Sequence, residues 1–191
     1  MSRDVVLAAA KRRFAEQGYE KTTLRDIARD AHVDPSMVLY LFGSKAELFR
    51  ESLRLILDTS RIVAAIGDGG EDVGVRIVRT YLSIWEGAET GHSMVSMLQS
   101  ATSNPDAHEA FREFVQGYVL PAVSSALGGG EQARLRAMLV ASHLVGVAML
   151  RYVMQVPPLA SLTGDEIVRL ISPAVTRYLT ADADELGLPN L

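Results

Sequence analysis

Two cations stand where helix electrostatics disfavours them. Lys45 follows Ser44 at the start of Ser44-Lys45-Ala46-Glu47, an S-x-x-E capping pattern that opens a helix. Arg25 follows the cap-type residue Thr23 in the first turn of another. A cation there opposes the helix dipole at a cost of about 0.3–1 kcal/mol, so stability alone selects Asp or Glu. A bound phosphate reverses the sign, because the free N–H groups of a helix start already attract anions. A solvated surface cation is the plain alternative for each. Other chemistries lack their residues. The chain has no cysteine, which removes disulfides, thiolate zinc sites, Fe–S clusters and thiol nucleophiles. Its four histidines (32, 92, 108, 143) are scattered, and neither G-x-S-x-G, H-E-x-x-H nor a P-loop occurs. No catalytic residue, metal or cofactor is expected.

The elements that must position these cations are helical. The chain has 191 residues, 48% hydrophobic and 22% charged, an ordinary globular composition with room for a sizeable core. Its net charge of −4 is unevenly spread. Residues 1–50 carry nine Lys+Arg against seven Asp+Glu, all three lysines among them, whereas 51–191 are acidic. This describes a mildly basic head on an acidic body. No cleavable leader is expected, and the longest near-apolar stretch, 137–150, is too short to span a bilayer, so a soluble cytoplasmic protein is expected.

Apolar spacing at Val6, Ala10 and Phe14 predicts a helix over 4–17, ended by Gly18. Thr23 with Asp26 starts 24–31, and Asp34-Pro35 starts a short helix to 41. One long helix is expected over 44–66, then helices near 71–89, 92–103, 105–127, 131–155 and 164–181, with a loose tail from 182. The two short helices joined by Ala31-His32-Val33 have the spacing of a helix-turn-helix, and equally of an ordinary helical hairpin. In the first case Ile27, Val33, Val38 and Phe42 share a core with Phe14 and Leu48, and the second helix fits a DNA major groove.

The runs Phe14-Ala15-Glu16-Gln17-Gly18-Tyr19, Thr22-Thr23-Leu24-Arg25-Asp26-Ile27-Ala28, Ala31-His32-Val33 and Phe42-Gly43-Ser44-Lys45-Ala46-Glu47-Leu48 resemble the N-terminal domain of the tetracycline-repressor (TetR) family over about residues 4–50. The resemblance implies an all-α homodimer, a helix-turn-helix DNA-binding domain at 1–50 and an effector-binding and dimerisation domain at 51–191. It implies Thr23, Arg25 and Lys45 on phosphates, and Ser36, Met37 and Tyr40 facing bases and backbone. Two positions depart from the family pattern. His32 stands where Gly is usual, and Leu39 where a phosphate-contacting Tyr is frequent, with Tyr40 one place later.

The stretch 137–150 is apolar or small almost all round and must be covered on every side, by its own domain, by a second copy, or by both. Ala141, Gly146 and Leu150 on it, with Ile167, Ile171, Val175 and Tyr178 on the last long helix, form the expected dimer interface, the family's last two helices implying a four-helix contact. An apolar effector pocket is expected from Trp85, Met97, Phe114, Tyr118, His143 and Arg151. Together these point to a cytoplasmic regulator that binds operator DNA as a homodimer and answers to a small apolar effector, without membrane contact. A helical ligand-binding or protein-interaction dimer without specific DNA recognition is the alternative. The uninterrupted helix 44–66 is the expected route between effector and DNA.

Overall fold

The structure, a computed structural model, describes residues 2–67, 69–88 and 90–189, all helices, turns and loops with no strand among them. The chain divides into two compact units, one of residues 1–58 and 86–116, the other of 59–85 and 117–191.

In the first unit, α1 (Ser2–Lys21) buries Val6, Ala10 and Phe14 as its spacing predicts. At Gly18 the backbone leaves helical geometry (φ 74°, ψ 176°) and one further turn reaches Lys21. Next come α2 (Leu24–Asp30), α3 (Pro35–Phe42) and α4 (Lys45–Ile56), capped by Thr23, Asp34 and Ser44 through Asp26 N, Ser36 N and Glu47 N. All three caps were legible, because a cap is a contact between near neighbours. Helices α7 (Gly91–Ser103) and α8 (Pro105–Phe114) complete this unit, α7 lying along α1 and α8 along α4. The division by contacts thus differs from a cut after residue 50.

The long helix expected over 44–66 is broken. Leu57 takes φ −101°, ψ 87°, and α5 (Thr59–Ile66) starts afresh in the second unit. The run Asp58-Thr59-Ser60 supplies the reason, since these side chains compete with the helix ladder for backbone hydrogen bonds. No continuous helix joins the two units at this point, so the expected route loses its basis.

The second unit holds α5, most of α6 (Val73–Glu86), α9 (Leu120–Ala126), α10 (Gly130–Ala148) and α11 (Gly164–Thr180), with a short α12 (Ala183–Leu186) where a loose tail was expected. Helix α11 opens with a reciprocal box, Thr163 N donating to Glu166 Oε2 at 2.7 Å. The expected helix 105–127 is interrupted by a π-helical turn, Val115–Val119. A second such turn, Met149–Val153, extends α10 into a helical run Gly130–Val153 of 24 residues. That run is long and apolar enough to cross a membrane by length and composition, against the shorter stretch read from sequence. It is not covered all round. Ala133, Ala137, Val140, Leu144 and Val147 form a buried stripe, whereas Met138, Val145 and Leu150 are exposed.

Candidate nucleic-acid interface

Helices α2 and α3 meet across a turn closed by Ala31 N to Ile27 O (2.9 Å) and Val33 N to Ala28 O (3.0 Å). His32, at the family's Gly position, takes φ 53°, a left-handed conformation that a side chain makes costly. Ile27, Val38, Phe42, Phe14 and Leu48 are buried together as expected, and Ala28 at 1% exposure allows the close approach. Val33 is only half-buried.

This packing turns the other face of α3 outward. Ser36, Met37, Leu39 and Tyr40 are all exposed, Tyr40 at 86% and Leu39 at 49%. The Ser36 hydroxyl and backbone N–H both donate to Asp34 Oδ1, at 2.6 and 2.8 Å. These bonds hold the Asp34 carboxyl below its ordinary value. A carboxylate therefore sits at the tip of α3, where it opposes phosphate and can accept from a cytosine amine. The sequence reading used Asp34 only as a cap and missed this.

Among the cations around this face, Arg29 is paired with Asp26 (2.7 Å), and Arg12 and Arg13 with Asp30 (3.0 and 2.6 Å). Arg25 is exposed and forms no ion pair among the described residues. Thr23 is occupied at home: its hydroxyl donates to Asp26 Oδ2 (2.6 Å) and accepts from Asp26 N. Lys45 is half-buried, with Nζ 4.3 Å from the Tyr19 ring centroid and donating to Glu20 O at 3.4 Å. Burial lowers its pKa, and the charges of Asp106 and Glu20 oppose that. A ring face and a carbonyl therefore already offset the dipole cost of Lys45 without a phosphate.

The expected effector residues fall in both units. Met97 and Phe114 are wholly buried in the core of the first. Trp85 and Arg151 come together in the second around Tyr152, which stacks on Trp85 (centroids 5.3 Å apart, planes 6°), and Arg151 donates to Leu159 O and Leu162 O. His143 meets the edge of Tyr178 at 5.9 Å, and Tyr118 lies half-buried in the Val115–Val119 turn. A groove of about 370 Å³ opens instead in the first unit between the end of α1 and α7, lined by none of these six. The expected interface residues also divide. Ile167 and Val175 are 0% exposed and fill their own unit's core, a correction. Ala141, Gly146, Ile171 and Tyr178 are at least partly exposed, Leu150 is 42% exposed and Leu170, left out of that set, 63%. No cluster of His, Asp or Glu among the described residues could hold a metal.

A helix-turn-helix with a solvent-facing second helix, followed by a helical body, defines a DNA-binding regulator. Residues 6–52 match the model of bacterial regulatory proteins of the tetR family, and 71–179 match the tetracyclin repressor-like C-terminal domain. A TetR-family regulator of Streptomyces coelicolor A3 is 37% identical in sequence, covering 94% of each chain with a TM-score of 0.65. NalD, the secondary repressor of the MexAB-OprM multidrug efflux pump in Pseudomonas aeruginosa, shares the fold at 20% identity, covering 95% of this chain and 96% of its own, with a TM-score of 0.66. The HTH-type transcriptional regulator HbdR of Aromatoleum sp. (strain CIB) is 39% identical over 57 residues, 30% of this chain and 25% of that protein. The chain belongs to the TetR family of transcriptional regulators.

Proposed function

We propose that the protein is a cytoplasmic repressor. Two copies place their α3 helices in successive major grooves of a palindromic operator, and a small, largely apolar effector releases them. The observation that carries the DNA reading is the outward face of α3, where Tyr40, Met37 and Ser36 are exposed toward base edges and backbone, Ser36 with its hydroxyl held by Asp34. Arg25, exposed and unpaired, supplies a phosphate contact beside it. The uncovered face of α10 with Leu170 supports pairing of two copies, which sets two α3 helices about 34–36 Å apart. The repressor name of a fold relative supports the direction of control.

Selection from random duplexes tests this reading. An inverted repeat with its half-sites about one turn apart is expected, with affinity falling steeply as salt rises. Arg25→Ala reduces the salt slope by about one, and Met37→Ala or Tyr40→Ala shifts the preferred sequence. Failure to enrich any motif at low salt returns the choice to an interaction module without DNA recognition.

A further inference from the structure

The first turn of α3 presents acceptors rather than donors. Asp34 and Ser36 are exposed, and Ser36 gives both its protons to one oxygen, its hydroxyl at 2.6 Å and its N–H at 2.8 Å from Asp34 Oδ1. Pro35 has no N–H, and Met37 N donates to Asp34 O at 2.9 Å. Positions 35, 36 and 37 therefore keep no N–H for a phosphate, unlike an ordinary anion-binding helix start. Met37 adds a thioether, at most a weak acceptor. On the outward face of α3 a strong donor comes only at Tyr40, one turn beyond Ser36.

The Ser36 hydroxyl, and then its N–H, hold the Asp34 carboxyl below its ordinary value, so it stays ionised. Its other oxygen, Oδ2, enters no hydrogen bond or ion pair among the described residues. A fixed, charged oxygen with open lone pairs thus stands at the end of α3 that leads into the major groove in helix-turn-helix proteins. Backbone phosphates repel an anion there, so the position is favourable only where a base offers it a proton.

We infer that Asp34 sets operator specificity by accepting from the N4 amine of a cytosine through Oδ2, and that it rejects guanine and thymine at the same place. The inference rests on the regulator reading above and names one base of the sequence read. Guanine shows two acceptors in the major groove, N7 and O6, and thymine shows O4; each would face the carboxylate with no proton between them. Adenine carries an amine at N6, but it lies between two acceptors, its own N7 and the O4 of its thymine. The cytosine amine has one such neighbour, the O6 of its guanine. Cytosine therefore donates to Asp34 with the least repulsion.

Asparagine tests this without removing the cap, because it caps helices as well as aspartate does. With its carbonyl oxygen held by Ser36, Asp34→Asn puts an NH2 group where Oδ2 was, a donor in place of an acceptor. Selection from random duplexes on the full-length parent is expected to yield cytosine at one position of each half-site. The same selection on Asp34→Asn is expected to yield guanine or thymine there with the rest of the motif kept. Asp34→Ser, a cap too short to reach the base, is expected to show no preference at that position. In a binding titration the parent loses about tenfold when that C·G pair is exchanged for G·C, and Asp34→Asn gains instead. A cap with no other role shifts the melting temperature and leaves the motifs of all three proteins alike. Identical motifs for the parent and Asp34→Asn overturn the inference and leave the regulator reading standing. No enriched motif from the parent at low salt overturns both.

Discussion

Lys45 rests on Tyr19: its Nζ lies 4.3 Å from the ring centroid and donates to the carbonyl of Glu20. The contact joins the start of α4 to the end of α1, and it sets a charge from one helix against a last-turn carbonyl of another. Lys45 therefore has a structural role, which one substitution separates from the phosphate contact that the family resemblance implies. A half-desolvated cation–π pair is worth about 0.5–2 kcal/mol. Lys45→Met is expected to lower the midpoint of thermal unfolding by an amount matching the lower part of that range. If Lys45 also meets phosphate, the slope of log affinity against log salt falls by about one; an unchanged slope assigns it to structure alone.

Asp30 accepts from Arg13 at 2.6 and 2.7 Å and from Arg12 at 3.0 Å, fastening α2 to α1. The Arg13 and Arg12 bonds hold its carboxyl well below the usual carboxylate range. Its folded value is thus depressed, so the stability it contributes is complete above the unfolded value of about 3.9 and is lost as pH falls toward the folded one. Asp30→Asn is expected to lower stability at neutral pH and to flatten the acid limb of a denaturation series below pH ~4. An acid limb identical to the parent's counts against the pairing.

Backbone geometry gives three substitutions of differing sign. Gly18 at φ 74°, ψ 176° occupies a region essentially closed to other residues, so Gly18→Ala is expected to cost about 1–3 kcal/mol. A Cβ on Gly74 would meet Thr176 Oγ1 and the Ser172 carbonyl, and would stand 2.8 Å from Thr176 N, backbone that cannot turn aside. Gly74→Ala is expected to force α6 from α11 and to cost about 1–3 kcal/mol or more. His32→Gly relieves φ 53° but adds chain entropy to the unfolded state, for a net gain of about 0.5 kcal/mol. Chemical denaturation of the three side by side checks the order.

Much of the reading head was legible because its signals are local. Thr23, Asp34 and Ser44 announce their helices within three residues, and Phe14, Ile27 and Val38 share a helical period with the core they fill. What failed depends on distant partners. The apolar stripe of α11 wraps beyond one face, and only its packing decides that Ile167, Val168 and Val175 turn inward while Leu170 turns out. Gly74 marks one such approach, its N–H donating to Thr176 Oγ1 at 3.1 Å, with no trace in local spacing. The break at Leu57 had a local cue in Asp58-Thr59-Ser60, outweighed by the apolar period on either side. Lys45 on Tyr19 joins residues 26 apart in sequence, beyond any capping or i,i+4 rule.

Leu170, outside the interface set read from the sequence, is a candidate contact residue for the proposed pairing of two copies. It is 63% exposed on α11, Met138 and Val145 are exposed on α10, and Leu150 is exposed in the π-helical turn that follows it. Single exposed apolar side chains are ordinary, but a row of them on neighbouring helices is what a covered face looks like before its partner arrives. An isologous contact would set each Leu170 near the twofold axis or against the partner's α10, and a charge there would be buried without a counter-ion. Leu170→Arg is expected to shift the species seen by sedimentation from dimer to monomer while leaving the helical signal intact, and to weaken operator binding because the two α3 helices lose their fixed spacing. Ile167→Arg, by contrast, charges a fully buried position and is expected to unfold the second unit. If Leu170→Arg stays dimeric at the parent's concentration dependence, the pairing face lies elsewhere and the outer side of α10 needs another occupant.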